Sequence, residues 1–113
     1  MPDKVQKFKE ERQRLNKIVL SRKNLDIKRF FALDSAVYRE GALDMKTKEL
    51  LGLVASVVLR CDDCISYHAI RAKEVGTTDE EFDEVMAVSL VVGGSITIPH
   101  IRRASQLWEE MKG

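Results

Sequence analysis

Two segments of this chain are apolar on more than one face of the helices that they predict. The apolar residues are Leu50, Leu51, Leu53, Val54, Val57, Val58 and Leu59 in the first segment, and Val85, Met86, Val88, Leu90, Val91 and Val92 in the second. A helix that is apolar all round must be buried all round. A chain of 113 residues forms one domain and has too little protein left to cover both helices. We therefore expect a homo-oligomer in which helical faces pack across subunits.

The positions of glycine, proline and capping residues divide the chain into six helices and predict an all-α fold. The helices are expected over about residues 3–22, 26–40, 45–60, 61–75 and 78–93, with the sixth beginning after residue 97. Gly76 should end the fourth helix, a capping box over residues 78–81 should begin the fifth, and Thr97 should cap the sixth. We expect a single domain over residues 1–113, with N-terminal helices in residues 1–43 and the core in residues 44–104.

The two cysteines of the chain form a Cys61-x2-Cys64 pair, and His68 follows four residues later. If Cys61 opens a helix, all three side chains lie on one helical face. Disulfide exchange needs one thiolate, a second thiol that traps it, and a group that moves protons. The pair should form a reversible disulfide, because a first helical turn brings the two Cα atoms within the roughly 4.4–6.8 Å that the bond requires.

The charges around the thiols act in opposite directions. A helix N-terminus would stabilise a thiolate at Cys61 through its unpaired N–H groups and the helix dipole. Asp62 and Asp63 disfavour a further negative charge beside them. The sequence therefore predicts a less acidic thiol than an uncharged insert between the cysteines would give.

A carboxylate upstream of the thiols, Glu49, is a candidate for proton transfer. It lies about 18 Å from Cys61 along a straight helix, so it can approach only if the third and fourth helices form a hairpin. We hypothesise a relay from Glu49, through a water molecule or His68, to Cys64. The local sequence equally allows a solvated Glu49 that pairs with neighbouring lysines.

The pattern Glu49-x11-Cys61-x2-Cys64-x3-His68, followed by a glycine break and an apolar helix, resembles the AhpD-like branch of the carboxymuconolactone decarboxylase family. The resemblance covers roughly residues 44–104. It implies an AhpD-like helical bundle in a homo-oligomer, a trimer or a hexamer, with thiol-dependent peroxidase or disulfide-reductase activity and no cofactor. It also implies that Cys64 reacts, that Cys61 resolves the product, and that His68 and Glu49 relay protons.

The same resemblance implies partners. In AhpD, reducing equivalents pass between a dihydrolipoyl-bearing protein and a peroxiredoxin, so a peroxide or disulfide substrate and a partner of either kind are expected here. This chain is shorter than AhpD and carries Asp63 where AhpD has a histidine. The decarboxylase branch of the family lacks the pair of cysteines, which disfavours lactone decarboxylation.

Two other functions are compatible with the same residues. A zinc site would use Cys61, Cys64, His68 and His100, although structural zinc sites usually place such a cysteine pair on a turn. The second alternative is a non-catalytic or small-molecule-binding oligomer that keeps the scaffold. For His100, the sequence slightly favours a surface position over one that faces the thiols, because nothing local constrains it.

Composition limits the remaining function classes. The balance of 19 Lys and Arg against 18 Asp and Glu gives no net field that would favour nucleic acid or an anionic membrane. The apolar stretches over residues 50–59 and 85–98 are shorter than the roughly 20 residues of a membrane span. The N-terminal residues lack the apolar segment of a signal peptide, so we expect a cytoplasmic protein. In that compartment a pair of this kind is more often catalytic or metal-binding than structural.

Overall fold

A computed structural model describes residues 4–112 and confirms the all-α prediction, since these residues form six α-helices and no strand. The helices are α1 (Lys4–Ser21), α2 (Leu25–Val37), α3 (Met45–Val58), α4 (Asp62–Glu74), α5 (Asp79–Gly93) and α6 (Ile98–Glu110). A short 3-10 turn, Ser95–Thr97, precedes α6. The chain divides into two compact units between Arg39 and Glu40. That the two units act as one domain stays a prediction.

The N-terminal unit contains α1 and α2, and neither helix has a buried residue. Asn24 caps α2, because its side-chain oxygen accepts a hydrogen bond of 3.0 Å from the backbone N–H of Ile27. α2 ends at Val37, three residues before the predicted end at residue 40. Large apolar side chains such as Phe30 and Leu33 are exposed along α2. This unit therefore has apolar surface but no interior of its own.

The second unit has a core to which α3, α4, α5 and α6 all contribute. Its buried side chains are Leu53, Val57, Ile65, Ala69, Ala72, Phe82, Met86, Ala104 and Trp108. The rings of Phe82 and Trp108 stack with their centroids 4.4 Å apart. The indole N–H of Trp108 donates a 2.8 Å hydrogen bond to Asp79, so the largest side chain of the core keeps its polar atom paired.

Local signals fix most of the helix ends in this unit. Thr78 and Glu81 form the predicted capping box at the start of α5. Gly76 follows α4 with φ of 93°, the left-handed conformation that favours glycine. Thr97 is the N-cap residue of α6 as predicted, but its side chain makes no capping hydrogen bond. Its hydroxyl instead donates a 2.8 Å hydrogen bond to the carbonyl of Gly94, because a 3-10 turn occupies the residues before α6.

Part of the apolar surface predicted for α3 and α5 is exposed in the isolated chain. Val91 is 85% exposed, and Val88, Val92 and Leu59 are also exposed. This is the surface for which we expect cover by another copy of the chain, and the homo-oligomer remains a prediction. None of the helices within residues 4–112 is both long enough and apolar enough to cross a membrane.

Candidate functional site

The chain reverses between α3 and α4 through a Schellman motif. The N–H of Arg60 donates to the carbonyl of Val57, and the N–H of Cys61 donates to the carbonyl of Ser56, each over 3.0 Å. Arg60 has φ of 60°, the left-handed conformation that glycine usually adopts at this position. The motif ends α3 and places Cys61 directly before the first turn of α4, which gives the hairpin that the candidate relay requires.

Cys61 and Cys64 are joined by a disulfide at the N-terminus of α4, with their Cα atoms 5.3 Å apart. This confirms the predicted pairing. Cys61 is the N-cap residue of α4, and its sulfur accepts a 3.2 Å hydrogen bond from the N–H of Cys64. Cys64 is exposed and Cys61 is half-buried. In the isolated chain Cys64 is therefore the more exposed residue of the pair.

Glu49 and His68 form a hydrogen-bonded pair between α3 and α4. His68 Nδ1 lies 2.8 Å from Glu49 Oε1, and Glu49 is only 2% exposed. The interpretation of Glu49 as a solvated residue is therefore wrong, because the hairpin turns the first half of α3 against α4. When Glu49 is a carboxylate it accepts from Nδ1–H, which leaves Nε2 of the neutral ring as its proton acceptor.

Arg71 is a second partner of Glu49 that sequence reasoning missed. Its Nε lies 3.7 Å from Glu49 Oε2, and its Nη1 donates a 2.7 Å hydrogen bond to Glu74. The bond to Glu74 raises the pKa of Arg71, burial opposes this, and the negative charge of Glu49 adds to the rise. Arg71 follows His68 by three residues and so shares its helical face, which was the available signal.

A third group of side chains joins α4 to α6 beside the disulfide. Asp62 Oδ1 lies 2.8 Å from His100 Nδ1, and Arg103 Nε donates a 3.1 Å hydrogen bond to Asp62 Oδ2. Burial tends to raise the pKa of Asp62, but the hydrogen bonds from His100 and Arg103 outweigh it and hold this pKa below its ordinary value. His100 is half-buried rather than fully at the surface, since its side chain is 17% exposed. It lies against the residue that follows Cys61.

The donors of the alternative zinc site are not gathered in one place. Within residues 4–112, no group of three or more His, Cys, Asp or Glu side chains is arranged so that it could hold a metal ion. Nδ1 of His68 faces Glu49, and Nδ1 of His100 faces Asp62. The structure thus places the two histidines in different polar clusters, His68 with Glu49 and His100 with Asp62.

Comparisons with known proteins agree on one family. The sequence profile of the carboxymuconolactone decarboxylase family matches residues 27–107. The chain is 31% identical over 84 residues to a Paracoccus denitrificans protein named as uncharacterized protein 4 of the cox locus, an alignment that covers 74% of this chain and 76% of that protein.

Solved structures extend the agreement to the fold. Two crystal structures of a Thermotoga maritima protein are 62% and 61% identical to this chain, with TM-scores of 0.92 and 0.90. Both alignments cover 94% of this chain, and they cover 93% and 90% of the other chains. That protein is described as a carboxymuconolactone decarboxylase family member suggested to be involved in an antioxidative response.

A family member from Legionella pneumophila, solved in its apo form, is 28% identical, with a TM-score of 0.83 over 98% of this chain and 99% of that one. The matched residues span well over half of the chain and include α3, α4 and α5 with the thiol pair. The helical architecture of residues 4–112 agrees with these neighbours. The chain therefore belongs to the carboxymuconolactone decarboxylase family, as its motif predicted.

Proposed function

We propose that this protein is a thiol-dependent oxidoreductase in which Cys61 and Cys64 cycle between a disulfide and a dithiol. The observation that carries the proposal is a cysteine pair at the N-terminus of α4, with Cys64 exposed, on the helix that also carries His68 and its hydrogen bond to the buried Glu49. Redox-active cysteines need an electropositive, partly exposed environment and a nearby proton carrier. The antioxidative role suggested for the Thermotoga maritima relative supports the same class of activity.

The substrate that this chemistry fits is a hydroperoxide. The thiolate of Cys64 attacks the terminal oxygen of ROOH, the O–O bond breaks, and Cys64 becomes a sulfenic acid while ROH leaves with one proton. The thiol of Cys61 then attacks the sulfenic sulfur, water leaves, and the disulfide forms. The dithiol has lost two electrons, and the peroxide has gained them.

Reduction of the Cys61–Cys64 disulfide back to the dithiol needs an external dithiol as the electron donor. A dihydrolipoyl group attacks the Cys61–Cys64 bond, passes through a mixed disulfide, and leaves as the cyclic lipoyl disulfide. A second reactive-cysteine protein, a peroxiredoxin, is an alternative acceptor of the electrons held by the dithiol. Both partners are part of the proposal, and both react by thiol–disulfide exchange.

Glu49 and His68 would supply the protons for these steps. In a neutral His68 whose Nδ1–H donates to Glu49, Nε2 is the unprotonated ring nitrogen, so it is the atom that would take up the proton from the Cys64 thiol, directly or through a water molecule. The imidazolium that forms is stabilised by the buried carboxylate, and it returns the proton to the departing alkoxide. In this relay Glu49 orients the ring of His68 and stabilises its imidazolium form, and the proton passes between His68 and the sulfur.

A coupled assay tests the proposal. Reduced lipoamide regenerated by lipoamide dehydrogenase should sustain consumption of cumene hydroperoxide by the wild-type protein. Cys64→Ser and Cys61→Ser should each abolish turnover, whereas Ser66→Ala, which changes another residue of α4, should leave it unchanged. If the wild-type dithiol neither reduces a peroxide nor exchanges with lipoamide, the protein is a non-catalytic member of its family and the proposal fails.

A further inference from the structure

The cluster formed by Asp62, His100 and Arg103 is not used by the proposed relay. It lies at the first residue of α4, immediately after Cys61, and it connects that helix end to α6. Both carboxylate oxygens of Asp62 are engaged, Oδ1 with His100 over 2.8 Å and Oδ2 with the Arg103 guanidinium over 3.0–3.1 Å. The cluster thus places a cation against a carboxylate that would otherwise oppose a thiolate beside it.

We propose that Asp62, His100 and Arg103 act as positioning residues that stabilise the reduced, thiolate-bearing form of the Cys61–Cys64 pair by offsetting the negative charge at the start of α4. This inference rests on the redox cycling proposed above. From sequence alone, Asp62 and Asp63 together disfavour ionisation of the thiols. With Asp62 paired to Arg103, the charge that opposes a thiolate falls mainly on Asp63, and the N-terminal dipole of α4 acts against less negative charge.

The direction in which the cluster shifts the equilibrium between the disulfide and the dithiol depends on which of these two forms is charged. The disulfide is neutral, and the dithiol carries a negative charge once one thiol ionises. A nearby cation therefore stabilises the reduced form and makes the pair more oxidising, as in other CxxC proteins whose reduced form is stabilised. Asp62 and Arg103 are about half exposed, so solvent screens them and the effect should be modest.

The measurement is an equilibrium with reduced and oxidised dithiothreitol at a pH of about 8.5, where an ordinary cysteine thiol is half ionised. Reduction breaks the Cys61–Cys64 bond and forms the cyclic disulfide of the reagent, a transfer of two electrons and two protons. One protein thiol then releases its proton to the buffer. Thiolate absorbance near 240 nm and mass spectrometry after alkylation report the two forms without any peroxide turnover.

Opposite charge changes in the cluster should shift this equilibrium in opposite directions. Arg103→Ala should favour the disulfide by up to about tenfold, a potential lower by about 30 mV for a two-electron couple. Asp62→Asn should favour the dithiol by a similar factor. The double variant restores the net charge of the cluster and should return to within about threefold of wild type, and Arg103→Lys should retain most of the wild-type value.

Arg102→Ala is the matched control, because it removes the same charge from an exposed neighbouring position on α6. A purely structural link between α4 and α6 would be broken by either single variant, so both would shift the equilibrium in the same direction or not at all. That result overturns the inference while the proposed function stands. If the wild-type pair cannot be reduced and reoxidised, the proposed function itself fails.

Discussion

Replacing Glu49 by glutamine should separate catalysis from folding, because the structure predicts very different magnitudes for the two. The amide keeps the size of the buried side chain and still accepts a hydrogen bond from His68 Nδ1, now 2.8 Å from a carboxylate oxygen. What is lost is the charge. General acid–base assistance is worth about 10²–10⁴-fold in rate, so turnover should fall by that factor, about 2.7–5.5 kcal/mol in activation free energy.

The free energy of unfolding should change much less. A hydrogen bond to a charged group contributes about 1.5–3 kcal/mol and a neutral one about 1 kcal/mol, so the bond to His68 weakens by roughly 1 kcal/mol. Removing a carboxylate that is 2% exposed relieves its desolvation cost and offsets part of this loss. Arg71 is 30% exposed and keeps Glu74 as its partner. The net change should stay within about 1 kcal/mol, a shift in Tm of about 4 °C or less.

The assay is a single turnover in which pre-reduced protein is mixed with cumene hydroperoxide and disulfide formation is followed by quenched mass spectrometry. Thermal unfolding and sedimentation of the same samples report folding and assembly. Glu84→Gln, an exposed carboxylate on α5, is the control. His68→Gln should reproduce the slow turnover, and both variants should flatten the acid limb of the pH–rate profile.

Two outcomes would refute this reasoning. If Glu49→Gln forms the disulfide as fast as wild type, the relay does not exist and Cys64 is activated only by the end of α4. If the variant loses helicity or assembly in proportion to its rate, Glu49 serves the fold and the kinetic effect is secondary. The result that supports the relay is slower disulfide formation with an unchanged Tm and an unchanged sedimentation coefficient.

Three further predictions concern stability. Arg60→Gly should raise the free energy of unfolding by up to about 1 kcal/mol in urea titrations, because glycine adopts the left-handed conformation without the penalty of a Cβ atom. Gly93→Ala should lower it by about 1–3 kcal/mol, because the new Cβ would lie 2.5 Å from Cγ2 of the buried Thr97. Hydrogen bonds from Trp108 and a lysine lower the pKa of Asp79, so its contribution is present above the ordinary value of about 3.9 and is lost as pH falls through the folded-state pKa. Asp79→Asn should accordingly make stability less pH-dependent below about pH 4 than in wild type.

The features that the sequence predicted are those decided by neighbours along the chain. The capping box at Thr78, the glycine after α4 and the pairing of Cys61 with Cys64 each depend on residues within one or two helical turns. The premature end of α2 and the 3-10 turn before α6 were missed, since nothing in their local residues demanded either. The periodicity of apolar residues predicts the existence of a helix more reliably than it predicts the residues at which the helix ends.

The partners of the site residues were harder to predict because they depend on how helices rotate against one another. The hairpin that brings Glu49 to His68 was anticipated as a requirement, but the burial of Glu49 follows only from the packing of α3 on α4. His100 and Arg103 share a face of α6 by their spacing of three residues. That this face meets Asp62, rather than solvent, is a tertiary fact with no local signature.

The shortness of the ring closed by the disulfide has a consequence for how the protein could turn over. Only two residues separate Cys61 from Cys64, and in the chain-entropy description so small a loop restrains the unfolded chain by only about 2 kcal/mol. Opening the bond therefore removes little conformational restraint, and the Cys61 sulfur remains next to the N–H that it caps. Oxidation and reduction are then nearly decoupled from global unfolding. If the pair cycles as proposed, the protein should keep a single tertiary structure in both covalent states.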